Sequence, residues 1–244
     1  MVRKQAGALK ADAYSSANPS VFPSGSIQLC RKLAAVIVAT AVLGMGATTA
    51  SAASFEYANA FGSYLRFSPD FDYDGAADDY LKCERPEVWR TVSADEFKVT
   101  AARADAVRTM HAVAKRAEAD GSFVLVTSAH FGDYDKAAQR FSFRPFSVAT
   151  FFSAVAPAQC DGGYLPRQID LYFANPELVD GLPMAPDAAR TFLERRASDR
   201  TVQITLAVQV TGTRGDNQLD GRIVKAEVVD QLQHVDGILA AFGK

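Results

Sequence analysis

Apolar positions recur along the chain with different spacings, and each spacing predicts a different kind of element. Phe55, Ala58, Phe61, Tyr64 and Leu65 fall on one helical face, which predicts a short helix docked on a core. A longer stripe of period 3.6 runs through Phe97, Ala101, Ala104, Val107, Met110, Val113 and Ala114. With Arg103, Asp105, Arg108, Lys115 and Glu118 on the other faces, it predicts a helix over 94–119, ended by Asp120-Gly121. Ser93 followed by Glu96 reads as its capping box. Residues 123–127 are continuously apolar, as expected of a strand covered on both sides. A polar turn, Gly132 to Asp135, then returns the chain into a second strand over 139–146, where Phe141 and Phe143 share a face. Residues 146–156 fit a short helix or a buried loop equally well. Gln168 to Phe173 alternates, with Ile169, Leu171 and Phe173 inward. Three prolines and a glycine make 175–186 a loop, and Pro186 suits the first position of a helix over 187–197, where a missing N–H removes no bond. Val202, Ile204, Leu206, Val208 and Val210 give the strictest alternation in the chain. After a flexible turn over 212–220, a return strand over 221–229 offers Val224, Ala226 and Val228 to the core, and Ile238 to Phe242 caps the sheet.

This order of elements places the protein in the α+β class: a mainly antiparallel sheet with helices on one face. It also suggests two helix-plus-hairpin units, 94–119 with 123–130 and 139–146, then 187–197 with 201–211 and 221–229.

The N-terminal pattern sets the compartment. Arg31 and Lys32 precede an uncharged apolar run from Leu33 to Met45, and Ala50-Ser51-Ala52 obeys the small-x-small rule for cleavage after Ala52. Residues 31–52 therefore read as a signal peptide, 1–30 as a disordered segment or a mis-assigned start, and 53–244 as a single domain, periplasmic or secreted. An uncleaved anchor is disfavoured, because the second half of the run is Gly, Thr, Ser and Ala. No stable membrane span is expected after cleavage. Taking the five basic and one acidic residues of 1–52 from the chain's 26 and 28 leaves 21 against 27, a formal charge of −6. Nucleic acid is thus not expected as a partner, since its phosphates select a basic face. Cys30 lies just before the leader and leaves with it, and its position before the apolar run excludes lipidation there. The remaining pair, Cys83 and Cys160, is the count a single disulfide needs in an oxidising compartment, two buried thiols being the alternative.

Two stretches carry candidate chemistry. Asp70, Asp72 and Asp74, with Gly75 and then Asp78, follow the oxygen-ligand spacing of a calcium loop, but the position of the bidentate glutamate is Leu81. A solvated acidic turn explains the same residues, and calcium is the one cofactor considered. His130, Asp133 and Asp135 share a predicted hairpin tip, which suits a metal or a base and its orienter; a polar turn needs the same residue types. Tyr57, Tyr64, Tyr73 and Tyr80 around the acidic run would suit a protein partner, or a half-buried role with wet hydroxyls. Nucleophile-elbow, phosphate-loop, His-Glu-x-x-His and Cys-x-x-Cys motifs are absent.

Tyr64-Leu65-Arg66, Asp95-Glu96-Phe97, Phe131-Gly132-Asp133-Tyr134-Asp135, and Asn175-Pro176-Glu177 followed by Leu182-Pro183-Met184 occur in that order. This series resembles an uncharacterised family of exported bacterial proteins, over Tyr57 to Val229. The resemblance implies export and a domain of unknown function, with no catalytic residues to carry over. The expected function is a non-enzymatic binding or interaction module of the cell envelope, its partner a protein or envelope component. A hydrolase or metal-dependent enzyme built on His130, Asp133 and Asp135 is the alternative.

Overall fold

A computed structural model describes residues 53–160, 163–196, 198–231 and 237–243; the leader and the segment before it lie outside the described residues. The chain opens with β1 (Ala53–Ser54) and α1 (Tyr57–Phe67). Phe55 precedes the helix rather than joining it, and packs edge-on against Phe123 at 5.1 Å. The acidic run is only partly loop, because α2 (Ala77–Glu84) begins inside it. Asp78 and Asp79 fall in its first turn, where the helix dipole favours negative charge. A short helix with proline at its start, α3 (Pro86–Val92), follows without having been anticipated.

α4 (Glu96–Asp120) is the long predicted helix, but its start and its face both differ from expectation. Asp95 is the N-cap, its carboxylate accepting from the backbone N–H of Phe97 and Lys98 at 3.2 Å, while Ser93 belongs to the end of α3. Phe97 is 90% exposed; the inward face is Val99, Ala106 and Met110, joined by the half-buried Ala102, Val107 and Ala114. Alanine is so frequent in the first turns that periodicity alone could not fix the inward side.

The main sheet has seven strands: β1, β2 (Ser122–His130), β5 (Phe151–Val155), β6 (Gln168–Phe173), β8 (Thr201–Gly215), β9 (Gln218–Val229) and β10 (Ile238–Gly243). Their order is β1-β2-β8-β9-β6-β5, with β10 added to β9. The sheet is mixed: β1 runs parallel to β2 and β6 parallel to β9, while the other pairings are antiparallel. β9 divides its outer edge, pairing with β6 through Gln218 to Gly221 and with β10 through Lys225 to Val229.

The predicted hairpin β8–β9 is present, its tip tightened to Asp216-Asn217, with Asn217 at φ 58. The other predicted hairpin is not. β2 pairs with β8 along its whole length, and the segment after it enters a separate small sheet of β3 (Tyr134–Asp135), β4 (Arg140–Phe141) and β7 (Leu182–Pro183). Only one of the two helix-plus-hairpin units therefore exists, α5 (Pro186–Arg196) with β8 and β9. The 175–186 loop holds a 3-10 turn at Pro176–Leu178 as well as β7.

One sheet face carries the core. Phe123, Leu125, Ile169, Leu171, Phe173, Ile204, Leu206, Val208, Ile223, Ala226 and Val228 are buried on it, together with Phe61 and Leu65 of α1. Among the described residues the opposite face is open, so β2 is covered on one side only, and Val126 within its apolar run is 56% exposed. Val224 is also outward. A register shift opposite Ala207 and Val208 inserts it as an extra residue, passing the inward role to Ile223. Gly221 lies on the core face, where a Cβ would stand 2.7 Å from a Val208 methyl. Cys83 of α2 and Cys160, beyond β5, form the expected disulfide across a separation of 77 residues.

Candidate functional site

The small sheet borders a concavity that collects charged side chains. Asp135 turns the chain from β3 to β4 by accepting from the N–H groups of Ala137 (2.8 Å) and Ala138 (3.0 Å), and Gln139 takes φ 49. The Met184 N–H reaches the Gln139 carbonyl at 3.0 Å, and the Tyr134 hydroxyl donates to the Met184 carbonyl at 2.8 Å. Gly181 donates to the Phe143 carbonyl at 2.7 Å. Its φ of +75, and the 2.7 Å that a Cβ would leave to Arg140 Cδ, make glycine the residue this corner requires.

These bonds bring together side chains far apart in sequence. The Asp180 carboxylate accepts from Arg144 Nε at 2.7 Å and from Arg140 Nη1 at 3.4 Å. The Arg144 guanidinium, reinforced by Arg140, holds the Asp180 carboxyl below the usual carboxylate range. A cavity of about 270 Å³ opens beside them, lined also by Asp135 and Ser142. Two guanidiniums thus share one internal carboxylate at an open mouth, with donors left over in the fork geometry that fits a second carboxylate or a phosphate.

Beneath lies an aromatic floor. Phe131 and Phe141 approach to 5.0 Å, Tyr134 and Phe141 to 5.0 Å, and Phe131 and Phe192 of α5 to 5.2 Å. Arg196 stacks on Phe192 at 5.0 Å and binds Asp230 and the Thr201 carbonyl, so α5 is locked to the start of β8 and the end of β9. Arg200 lies over the Phe131 ring at 5.5 Å and donates to the Gly132 carbonyl.

The predicted tip residues surround this floor without converging. His130 ends β2, its Nδ1 3.2 Å from the Thr201 hydroxyl. The Thr201 N–H donates to Asp199 at 2.9 Å and holds that carboxyl low. Asp133 is fully exposed, 3.8 Å from Arg200, and Asp135 caps its own turn. The acidic run is likewise divided. Asp78 forms a two-pronged pair with Arg103 at 2.6 and 2.7 Å, Asp72 accepts from the Gly75 N–H, and Asp70 and Asp74 are exposed. Among the described residues, the one group of three potential ligand atoms within 4.8 Å is Cys83, Glu84 and Cys160, whose sulfurs are already bonded to each other. Tyr57 and Tyr80 are buried, each 6% exposed, so the four tyrosines form no common surface; Tyr57 donates to the Pro166 carbonyl.

A second recess of about 210 Å³, between α1, α4 and the start of β2, is lined by Ala58, Gly62, Val113, Ala117 and Phe123 together with Asn59, Ser63, Arg116 and Ser122. The arginine crevice had no local signal in the sequence, because Arg140 and Asp180 are forty positions apart. Its main wall is Arg140 to Arg144, faced by Asp180 and Gly181, with Asp135 at the edge.

The sequence model of a family described as "Domain of unknown function (DUF4852)" matches residues 72–195, which hold α2 to α4, nearly all of α5, and the whole crevice. No curated protein and no solved structure matches the chain.

Proposed function

Because the chain belongs to the DUF4852 family, which shares a domain and names no activity, we propose from its own geometry that it is an exported binding module of the cell envelope. Its ligand is a carboxylate- or phosphate-bearing segment of a protein or envelope component, held in the Arg140–Arg144 crevice. The observation that carries this is the sharing of Asp180 by two arginines at the mouth of a cavity. An arriving anion takes the guanidinium donors that Asp180 leaves over, and Ser142 adds a hydroxyl at the wall. Export is supported by the leader pattern and by a disulfide that joins α2 to the segment beyond β5. No helix among the described residues is long and apolar enough to cross a membrane.

The competing enzyme reading at His130, Asp133 and Asp135 has less support. The imidazole faces the Thr201 hydroxyl, and neither Asp133 nor Asp135 orients it. Calorimetric titration of the full chain with acidic and phosphorylated peptides separates the two. Binding that is lost in Arg140→Ala and Arg144→Ala supports the crevice; binding that survives both, or none at all, overturns it.

A further inference from the structure

Among the described residues β5 ends the main sheet, and its outer edge is unpaired. The Ala156 N–H donates to the Arg167 carbonyl, and the β5–β6 register continues that pairing as Ala154 with Ile169 and Phe152 with Leu171. In an antiparallel ladder alternate residues bond to one neighbour, so Phe151, Ser153 and Val155 turn their N–H and C=O groups outward. None of these groups has a partner among the described residues. The devices that usually blunt an edge are missing: the strand reads Phe-Phe-Ser-Ala-Val, with no charge, proline or bulge. The other end of the sheet is different, because β1 covers the first residues of β2.

We infer that β5 pairs with β5 of a second copy of this chain, antiparallel about a two-fold axis through Ser153. The edge is complementary to itself. With Ser153 opposite Ser153, the outward groups of Phe151 meet those of Val155 in the other copy, and three closed pairs each exchange two bonds. On the open face, Phe151 (46% exposed) then packs across the junction on the other copy's Val155 (65% exposed), an aromatic to β-branched pair that occurs twice. Phe151 is already braced from below by Tyr172, with ring centroids 5.2 Å apart. Ser153 is held back by Asp170 at 2.6 Å and Gln168 at 3.1 Å, so nothing bulky stands on the axis. No like charges are brought together on the strand. An unrelated partner strand would meet the same backbone groups but lacks this reciprocal register. A self-association site is independent of the crevice, and the two copies' crevices would act together on a repeating or multivalent ligand.

The test is sedimentation velocity on the full chain and on variants at exposed positions. The wild type is expected to form a concentration-dependent dimer. Phe151→Lys and Val155→Glu are each expected to weaken it by about ten-fold or more, without lowering the melting temperature of the monomer. The double variant Phe151→Lys/Val155→Glu places opposite charges across the junction and is expected to recover dimerisation. A wild type that stays monomeric at high micromolar concentration overturns the inference. So does a dimer that neither single variant weakens, or single-variant losses that the double variant fails to repair.

Discussion

The Arg196 guanidinium lies 2.5 Å from the Asp230 carboxylate, and each side chain is only 1% exposed. The pair joins the last turn of α5 to the residue following β9, and Arg196 Nε has no partner among the described residues. Two charges removed from water gain little overall, but losing one of them leaves the other stranded.

Asp230→Ala is therefore expected to destabilise the protein by about 3 kcal/mol, read as a fall in the urea midpoint. Replacing both residues, as Arg196→Met/Asp230→Leu, should recover much of that loss. A single variant within about 0.5 kcal/mol of wild type would show that the guanidinium finds other partners at little cost.

The disulfide closes a loop of 77 residues, which the chain-entropy model values at about 4–5 kcal/mol. The double variant Cys83→Ser/Cys160→Ser, or reduction of the wild type, is expected to shift the denaturation midpoint accordingly. Identical midpoints with and without reductant would mean that the purified protein carries free thiols.

Arg103 holds the Asp78 carboxyl below its ordinary value, chiefly through their side-chain hydrogen bond. A lowered folded-state pKa gives stability that is present above the unfolded pKa of about 3.9, and is lost as pH falls through the folded value. Wild type and Asp78→Asn should therefore differ by about 0.5–1 kcal/mol at neutral pH and converge in acid, measured as melting temperature against pH. A constant difference down to the lowest pH would remove Arg103 as the cause.

Calcium and Arg103 would compete for Asp78, one of the four aspartates with calcium-loop spacing. A melting-temperature gain on adding calcium is expected to be larger in Arg103→Ala than in the wild type. Equal gains would place any bound calcium away from Asp78.

Gly181→Ala should lower stability by about 1–2 kcal/mol, since alanine disfavours a φ of +75. It should also displace Arg140 and so weaken anion binding more than it weakens folding. Loss of stability with unchanged binding would separate that corner from the crevice.

What the sequence made legible depended on how local the deciding interactions are. The β8–β9 hairpin alternates strictly and closes on itself, so pattern sufficed for it, apart from the register shift that turned Val224 outward. For α4 the helix was plain, while its cap was not: Ser93 and Asp95 both offer a capping oxygen, and only the packing of α3 decides between them. The partner of β2 was misread because the nearest strand-like segment, 139–146, has its own partner in Leu182-Pro183. Arg140, Arg144 and Asp180 meet only once that small sheet exists, so no spacing rule could have collected them. The aspartates with calcium-loop spacing show the converse, a local match whose Asp78 is taken by a helix 25 positions away.

The placement of β2 also imposes an order of events. Its first residues lie beside Val208, about 85 positions further along the chain, so most of the ribbon 122–130, beyond the two residues that β1 can pair, waits for its long neighbour until β8 has been delivered. β8 and β9 can zip together locally and then offer the waiting ribbon its seat. A chain interrupted before residue 201 would lack both central strands of its sheet, and assembly is therefore governed by the arrival of residues 201–229.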